Sequence, residues 1–272
     1  MAKIAVFSDL DLTLVKSFTM TLPQVLQDTA HALHRKLAGA FAVVTGRAAP
    51  AVDSLLNGIP ASVEFHSAWR QQKDTPFADI VPQIDAEKIG AAIESALAGK
   101  IPVLRDHTRV TAGEDGVFVQ RKPHTLALLF NSKSATAQQR DLLASVTLDA
   151  LKEAGVADAY HFFHGADVIE VAPKGRHKSD AVKDFMGTAP FAGRIPVFIG
   201  DGGADAQAMK VCAEEYGGFG IAVGHHIPDA PYIHLRVDTV EQAWDCLRLI
   251  ESLPDDFETV KTALNGIKNP SP

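Results

Sequence analysis

The sequence has little cysteine, no excess of basic residues and no long apolar run. Its two cysteines, Cys212 and Cys246, lie far apart in no spacing typical of a metal or redox site, so we expect buried thiols rather than a disulfide framework. The formal net charge of −7 argues against a nucleic-acid partner, which needs a basic face. No apolar run is long enough to span a bilayer and no signal-peptide pattern precedes the first strand, so a cytoplasmic protein without a membrane partner is expected.

What the sequence does have is ample apolar content. With 46% hydrophobic residues among 272, the chain can bury sizeable cores, as one large domain or as one domain with an insertion. The sequence gives no indication of oligomeric state, because it does not show which apolar residues are exposed.

The first part of the chain alternates predicted strands and helices. Apolar runs at 3–8 and 40–44 predict strands, and helices are expected at 23–37 and after Ala49-Pro50. This alternation is typical of βαβ units with a parallel sheet.

From about residue 85 the pattern changes. Helices are expected at 86–98 and 137–154, and the runs that predict strands are 101–104, 117–120, 126–130, 160–163 and 168–171. The turn residues 113–116 are expected to join the first two of these runs. The segment therefore predicts an α+β module with an antiparallel sheet, placed as a lid.

After Pro173 the alternation resumes. The expected elements are a helix from Ser179, a strand at 195–199, a helix from Ala204, a strand at 220–223 and a closing helix at 240–253. We therefore predict an α/β fold: a discontinuous, Rossmann-like parallel-sheet core formed by 1–78 and 176–272, with an α+β domain inserted at 79–175. Residues 269–272 are expected to fray.

The first strand runs into an acidic motif, Asp9-Leu10-Asp11-Leu12-Thr13. A buried strand in an open α/β sheet delivers its last residues to the carboxyl edge, where such folds bind ligands. If the chain stays extended, Asp9 and Asp11 share one side. One carboxylate can then attack while the other handles protons, although a polar turn that caps a helix is the plainer interpretation.

Two more strand ends carry polar residues. Thr45-Gly46-Arg47 follows the second strand and offers a hydroxyl to a phosphoryl oxygen, although a simple strand-to-helix turn explains it nearly as well. The strand ending at Ile199 leads into an acidic, glycine-rich turn with Asp201 and Asp205.

A basic cluster at 174–179 lies between these two strand ends and contains Lys178. A run of charge is more often a solvated face, and for Arg176 and His177 that interpretation stays open.

In order and spacing, these motifs resemble the four-part signature of the haloacid-dehalogenase-like phosphohydrolases, and the resemblance extends over the whole chain. It implies that Asp9 is the nucleophile and a metal ligand, Asp11 the general acid and base and a further metal ligand, and Thr45 a phosphate ligand. It also implies that Lys178 is the cation at the phosphoryl group and that Asp201 binds Mg²⁺. The hard oxygen ligands and the need to screen two anions agree with these roles.

The role of Asp205 stays open between a ligand of the metal or its water and a group that orients Lys178.

Within that superfamily the chain is most similar to the trehalose-6-phosphate phosphatases, which carry an α/β cap. Thr45-Gly46-Arg47 resembles their Ser-Gly-Arg motif, and residues 168–178 are similar to their Val-Glu-x-x-Pro-(Lys/Arg)-Gly-x-x-Lys segment. The resemblance implies that the cap reads a sugar through Glu170, Lys174 and Lys122, and that Gly46 and Arg47 help to bind the substrate.

One residue and two short segments depart from that family's pattern. Leu12 replaces a glycine, the fourth motif at 200–206 follows the general superfamily pattern, and the segment 64–68 reads Glu-Phe-His-Ser-Ala instead of Glu-His-Gly-Ala. Since the motif acids and the lysine are retained, phosphatase chemistry is expected while the identity of the sugar stays open.

The resemblance thus implies a Mg²⁺-dependent sugar-phosphate phosphatase, with trehalose 6-phosphate or a related phosphorylated sugar as the expected substrate. The alternatives are a phosphatase for another sugar phosphate, a phosphosugar mutase and a weakly active sugar-phosphate-binding protein. His225, His226 and His234 lack zinc-site spacing and are interpreted as loop residues. Trp69 and Trp244 are interpreted as packing residues, with Trp69 also a candidate for specificity.

Overall fold

The computed structural model describes residues 2–16, 21–164 and 167–267. The predicted fraying at 269–272 therefore falls outside the described residues. Two compact units are found: a core unit, Met1–Ala78 with His177–Pro272, and an inserted unit, Asp79–Arg176. The second junction lies one residue later than the sequence predicted.

Strands and helices alternate over most of the chain. In chain order the strands are β1 (Ile4–Ser8), β2 (Phe41–Val44), β3 (Ala61–Val63), β4 (Ala68–Arg70), β5 (Ala78–Asp79), β6 (Val117–Arg121), β7 (Leu126–Phe130), β8 (Tyr160–His164), β9 (Val168–Pro173), β10 (Ile195–Gly200), β11 (Phe219–Val223) and β12 (Leu235–Val237). The helices are α1 (Gln24–Lys36), α2 (Ala49–Leu56), α3 (Ala86–Leu97), α4 (His107–Thr111), α5 (Ala137–Glu153), α6 (Lys178–Met186), α7 (Gly203–Tyr216), α8 (Val240–Ser252) and α9 (Phe257–Asn265), with a short 3₁₀ helix at Ala157–Ala159.

The first sheet has the strand order β12-β11-β10-β1-β2-β3-β4-β5. The pairs from β12 to β3 are parallel and the pair β3–β4 is antiparallel. Its central strands β1 and β2 are buried along their whole length, as expected for apolar, partly β-branched strands covered on both faces. The predicted α/β fold with a parallel-sheet core is confirmed.

Side chains from the helices complete the core around this sheet. Trp244 on α8 is fully buried, and its indole N–H donates to the carbonyl of Leu14 at 2.7 Å. Cys212 and Cys246 are buried, free thiols, as predicted. Among the residues that the structure describes, no helix is both long and apolar enough to cross a membrane.

The inserted unit contains an antiparallel sheet with the order β6-β7-β9-β8. Apolar side chains of this sheet form a separate core with α3 and α5. Thr136 begins α5 with a capping box: its hydroxyl accepts from the amide of Gln139, whose side chain accepts from the amide of Thr136. The predicted α+β character of the insertion is confirmed.

Two local predictions in the inserted unit are wrong. The run 101–104 is not a strand of the sheet, and Val103 makes only an isolated parallel bridge to Val117. The turn at 113–116 follows α4, which Asp106 caps, so it does not close a hairpin. Gly116 is required here because a Cβ would lie 2.6 Å from the carbonyl oxygen of Pro102.

The predicted closing helix, α8, is not the last one. A further amphipathic helix, α9, begins after Asp256, whose carboxylate accepts from the amide of Thr259 at 3.2 Å. The neighbouring Asp255 accepts from the amide of Ile4 at 3.0 Å, which ties this end of the chain to the central strand β1.

Candidate active site

Three acidic side chains meet at the carboxyl edge of the core sheet. Asp9 follows β1 and Asp201 follows β10, and these strands are parallel neighbours, with the Asp9 amide donating to the Ile199 carbonyl at 2.9 Å. One carboxylate oxygen from each of Asp9, Asp201 and Asp205 lies within 4.8 Å of the others. We call these three residues the acidic cluster. Neighbouring parallel strands end at the same edge of a sheet, so the positions of Asp9 and Asp201 after two strands predicted that their side chains would lie close together.

Asp205 is held by both of its oxygens. Oδ2 accepts from the amides of Gly202 at 2.9 Å and Asp201 at 3.2 Å, and Oδ1 accepts from Nζ of Lys178 at 2.8 Å. Gly200 permits this approach, since a Cβ there would lie 2.4 Å from Cβ of Asp205. Asp205 therefore orients Lys178 while its carboxylate also belongs to the acidic cluster.

Lys178 is buried at the start of α6 and bridges two acids. Its Nζ lies 2.8 Å from Oδ1 of Asp9 and 2.8 Å from Oδ1 of Asp205. Burial opposes the charge of Lys178, but the coulombic interactions with Asp205 and Asp9 raise its pKa above its ordinary value. The side chain is therefore a permanent cation beside Asp9.

The acidic cluster carries more negative charge than Lys178 neutralises. Burial raises the pKa of Asp9 well above its ordinary value; Lys178 opposes this shift, and the charges of Asp205 and Asp201 add to it. Burial, followed by the charge of Asp205, raises the pKa of Asp201 to about 6. Three carboxylates this close together, two of them with a raised pKa, are a donor set that fits a hard divalent cation such as Mg²⁺.

Thr13, which the sequence analysis did not assign to the site, completes the cluster. Its buried hydroxyl donates to Oδ1 of Asp201 at 3.1 Å. The signal was present in the sequence, because Thr13 is the last member of the Asp-x-Asp-x-Thr motif.

Asp11 lies outside the acidic cluster found among residues 2–16, 21–164 and 167–267. Its oxygens accept instead from Arg47, with Nε at 2.8 Å and Nη2 at 2.6 Å. The expectation that Asp9 and Asp11 share one side assumed an extended chain, but β1 ends at Ser8 and Leu12 has a left-handed backbone with φ 56°. The structure thus places Asp11 with Arg47, not with the other acids.

The second motif lies directly after β2, at the same edge of the sheet. Thr45 is buried, and its hydroxyl oxygen accepts from the amide of Arg47 at 3.2 Å across Gly46. The Thr45 amide donates to the carbonyl of Ser62 on β3 at 2.9 Å. The predicted phosphate ligand is therefore fixed in position by its backbone and its side chain.

Comparisons with known proteins bear directly on this site. A family model described as trehalose-phosphatase matches residues 78–231. A Sinorhizobium fredii protein named "Probable trehalose-phosphate phosphatase" is 31% identical over 232 residues, which is 82% of this chain and 79% of that protein. The chain belongs to the trehalose-phosphatase family.

The chain is also similar to proteins of lower sequence identity. The Escherichia coli trehalose-6-phosphate phosphatase is 27% identical over 277 residues, covering 97% of this chain and 96% of its own. The C-terminal domain of the C. albicans trehalose-6-phosphate phosphatase has a TM-score of 0.68 at 16% identity, covering 92% of this chain and 93% of its own. A haloacid dehalogenase-like hydrolase from Bacteroides thetaiotaomicron has a TM-score of 0.59 at 13% identity, covering 92% and 100%.

At those identities the two structures show a common fold and nothing more. The sequence relatives and the family model show in addition that this member of the trehalose-phosphatase family is a phosphoric monoester hydrolase. The resemblance stated from the sequence motifs is confirmed.

The residues that match the trehalose-phosphatase model, 78–231, include the whole inserted unit, Asp79–Arg176, where the three candidate sugar contacts lie. Nζ of Lys122 lies 2.5 Å from Oε1 of Glu170, and both side chains are largely buried. Lys174, just past β9, is exposed, and its amide donates to the carbonyl of Ala159 at 2.8 Å. The structure thus pairs Lys122 with Glu170 and leaves the Lys174 side chain outside that pair.

The structure also shows the contacts of Trp69, His234 and His225. Trp69 packs edge-to-face against His66 and Phe185, with ring centroids 5.7 and 5.3 Å apart. His234 stacks on Phe219 and accepts from the amide of Gly220. His225 is exposed and lies 3.4 Å from Asp238, and no metal-binding group of three in the described part of the chain includes a histidine.

Proposed function

We propose that this chain hydrolyses trehalose 6-phosphate to trehalose and phosphate in a Mg²⁺-dependent reaction through an aspartyl-phosphate on Asp9. The observation that carries the proposal is the convergence of Asp9, Lys178 and Asp201 at one edge of the sheet. The names of the Sinorhizobium fredii and Escherichia coli relatives support the substrate.

Asp9 is the proposed nucleophile. An attacking oxygen of Asp9 forms a bond to phosphorus while the bond from phosphorus to the sugar oxygen breaks. A carboxylate and a phosphate monoester repel each other, so the cation of Lys178 at 2.8 Å lowers the barrier by compensating negative charge. Thr45, fixed at the same sheet edge, supplies a hydroxyl donor to a phosphoryl oxygen.

Mg²⁺ is the proposed cofactor, and Asp9, Asp201 and Asp205 would hold it. When bound, it supplies Lewis-acid stabilisation of the charge on the phosphoryl oxygens. The fit rests on the closeness of the three carboxylates, with one oxygen of each within 4.8 Å of the others. Burial, and then the charges of the neighbouring acids, raise the pKa of Asp9 and Asp201. Thr13 fixes one oxygen of Asp201.

Asp11 is the proposed general acid and base. It protonates the leaving sugar oxygen and later takes a proton from the water that attacks the aspartyl-phosphate. In this structure both of its oxygens are paired with Arg47. Because a protonated carboxylic acid cannot keep this two-point ion pair, proton donation requires the pair to open.

In the inserted unit, Lys122, Glu170 and Lys174 are the proposed contacts to sugar hydroxyls, with Gly46 and Arg47 assisting in the core unit. Lys122 and Glu170 provide a donor and an acceptor in one place, which suits hydroxyl groups that both donate and accept.

The test is phosphate release, with and without Mg²⁺, from trehalose 6-phosphate, sucrose 6-phosphate, glucose 6-phosphate and mannose phosphates. We expect Mg²⁺-dependent release with the highest kcat/KM for trehalose 6-phosphate, and none from the Asp9→Asn variant. A higher kcat/KM for another sugar phosphate would refute trehalose 6-phosphate as the substrate. An isomerised sugar phosphate without free phosphate would identify a mutase, and binding without turnover a binding protein.

A further inference from the structure

Three consecutive residues with side chains, Glu64, Phe65 and His66, adopt a left-handed backbone with φ of 50°, 55° and 67°. This region is costly for residues that carry a Cβ, and non-glycine residues rarely enter it in succession. Such a run persists only where surrounding contacts hold it, and it then points to a functional constraint. We call residues 64–66 the left-handed loop.

The imidazole of His66 makes contacts that hold this loop. It is fully buried, with Nδ1 3.0 Å from Oγ of Ser62 and Nε2 2.7 Å from Oδ2 of Asp184. Ser62 lies on β3 and Asp184 lies on α6. His66 therefore bridges a strand of the core sheet and the helix that begins with Lys178.

The left-handed loop in turn holds the second catalytic motif. The amide of Glu64 donates to the carbonyl of Arg47 at 3.1 Å, and the amide of Phe65 donates to the carbonyl of Thr45 at 3.4 Å. These bonds fix the backbone of the proposed phosphate ligand and of the arginine that pairs with Asp11. One buried side chain thus connects the segment of Thr45 and Arg47 with the helix of Lys178.

We propose that His66 is a positioning residue for the phosphoryl-transfer site. Through Ser62 and Asp184 it holds the left-handed loop in the conformation that aligns Thr45 and Arg47 with the Lys178 helix. The proposal rests on the proposed function, because it assigns His66 to the alignment of the same catalytic groups.

The first variant is His66→Gly, which suits the left-handed backbone but removes the imidazole. We expect kcat for trehalose 6-phosphate to fall by about 10- to 100-fold per folded molecule, because small misplacements of catalytic groups cost rate steeply. KM should rise by a smaller factor than kcat falls, since the sugar contacts of the inserted unit are intact and only Thr45 and Arg47 are displaced. His66→Asn, which tolerates this backbone and keeps hydrogen-bonding atoms, should recover part of kcat.

The matched control is Ala38→Gly, at another left-handed position with φ 52°, in the turn between α1 and β2. This substitution should leave kcat and KM unchanged. If His66→Gly does not fold, Asp184→Ala is the alternative, because it removes the carboxylate that contacts Nε2 of His66. The Asp184 side chain is 51% exposed, so this substitution leaves no buried cavity. Lys183→Ala, one residue earlier on the same helix, is its control.

Hydrogen exchange provides a readout that does not depend on turnover. In His66→Gly or Asp184→Ala, the amides of Glu64 and Phe65 should exchange faster than in the wild type, while those of β10 stay protected. Unchanged kcat per folded molecule, or unchanged exchange at both amides, would overturn the positioning role. Failure of the wild type to release phosphate would instead refute the proposed function, and the exchange measurement would still decide whether His66 holds the loop.

Discussion

The ammonium of Lys178 lies midway between two acids, 2.8 Å from Oδ1 of Asp9 and 2.8 Å from Oδ1 of Asp205. One contact brings positive charge to the proposed nucleophile, and the other fixes the direction of that charge. Since Asp205 also accepts from two backbone amides, the lysine is oriented by a side chain that is itself immobilised. The net charge of the acidic cluster can therefore be changed by replacing Lys178 alone.

The variant Lys178→Met removes this cation while keeping most of the side-chain volume. We expect kcat to fall by about 10³-fold, because the phosphoryl group loses an electrostatic partner in a water-poor site. The carboxylates also lose compensating charge, so Mg²⁺ should raise Tm by more than it does in the wild type. Phosphate release and thermal melts with and without Mg²⁺ check both points. An unchanged or smaller Mg²⁺ effect would contradict this charge balance.

The raised pKa of Asp201, about 6 against an ordinary 3.8, sets a pH dependence. Folding raises this pKa, so between those values the folded protein binds more protons than the unfolded chain, and the Mg²⁺-free protein loses stability as pH rises through that window. Above the window the ionised cluster repels itself and attracts Mg²⁺ more strongly. The Mg²⁺-induced rise in Tm should therefore be larger at about pH 7.5 than at about pH 5. An effect that is equal at both pH values would count against Asp201 as a ligand.

The sequence analysis expected Asp11 to be both the general acid and base and a metal ligand. Because the structure separates Asp11 from the acidic cluster, an Asp11 variant should affect catalysis but not metal binding. In Asp11→Asn we expect kcat to fall by about 10²- to 10⁴-fold, the range for loss of a general acid. The Mg²⁺-induced rise in Tm should persist, because the Asp11 side chain pairs with Arg47 instead. Melting curves with and without Mg²⁺ decide this. Loss of the Mg²⁺ effect would show that the Asp11 side chain is a ligand after all.

The convergence of Asp9 and Asp201 could be predicted from the sequence because it depends on a general property of parallel sheets, whereas the role of Lys178 was implied by the family resemblance. Asp9 and Asp201 follow neighbouring parallel strands, and strand ends converge wherever the sheet forms. The Asp11–Arg47 pair and the roles of Thr13 and His66 depend on loop conformation, which alternation along a strand does not describe. The helix α9 was not predicted at all, because a short amphipathic helix after another helix gives only a weak periodic signal.

Leu12, which stands where the family usually has glycine, has φ 56° and is 44% exposed. Because a side chain is strained in this conformation, Leu12→Gly should raise the free energy of unfolding by about 0.5–1 kcal/mol, after the greater entropy of the unfolded chain is counted. Chemical denaturation measures the difference. The control is Leu148→Gly, at an exposed position within α5. Glycine is unfavourable inside a helix, so this substitution should lower the free energy of unfolding by about 1 kcal/mol. A lower free energy of unfolding in Leu12→Gly would show that the backbone at Leu12 is not strained.

The buried pair of Lys122 and Glu170 predicts a defect that depends on the substrate. In Glu170→Gln we expect KM for trehalose 6-phosphate to rise by about tenfold, because a charged acceptor for sugar hydroxyls becomes a neutral one. For p-nitrophenyl phosphate, which has no sugar, kcat/KM should stay within about twofold. Steady-state kinetics with both substrates check this. Equal losses on both would show that Glu170 does not read the sugar.

The measurement that tests the central claim most directly is acid quench of a single turnover with trehalose 6-phosphate labelled at phosphorus, followed by digestion and mapping of the label. The account predicts a transient, hydroxylamine-sensitive acyl phosphate on Asp9 that forms before free phosphate and is absent from Asp9→Asn. Phosphate release at the normal rate by Asp9→Asn, or a label that maps to another residue, would contradict it.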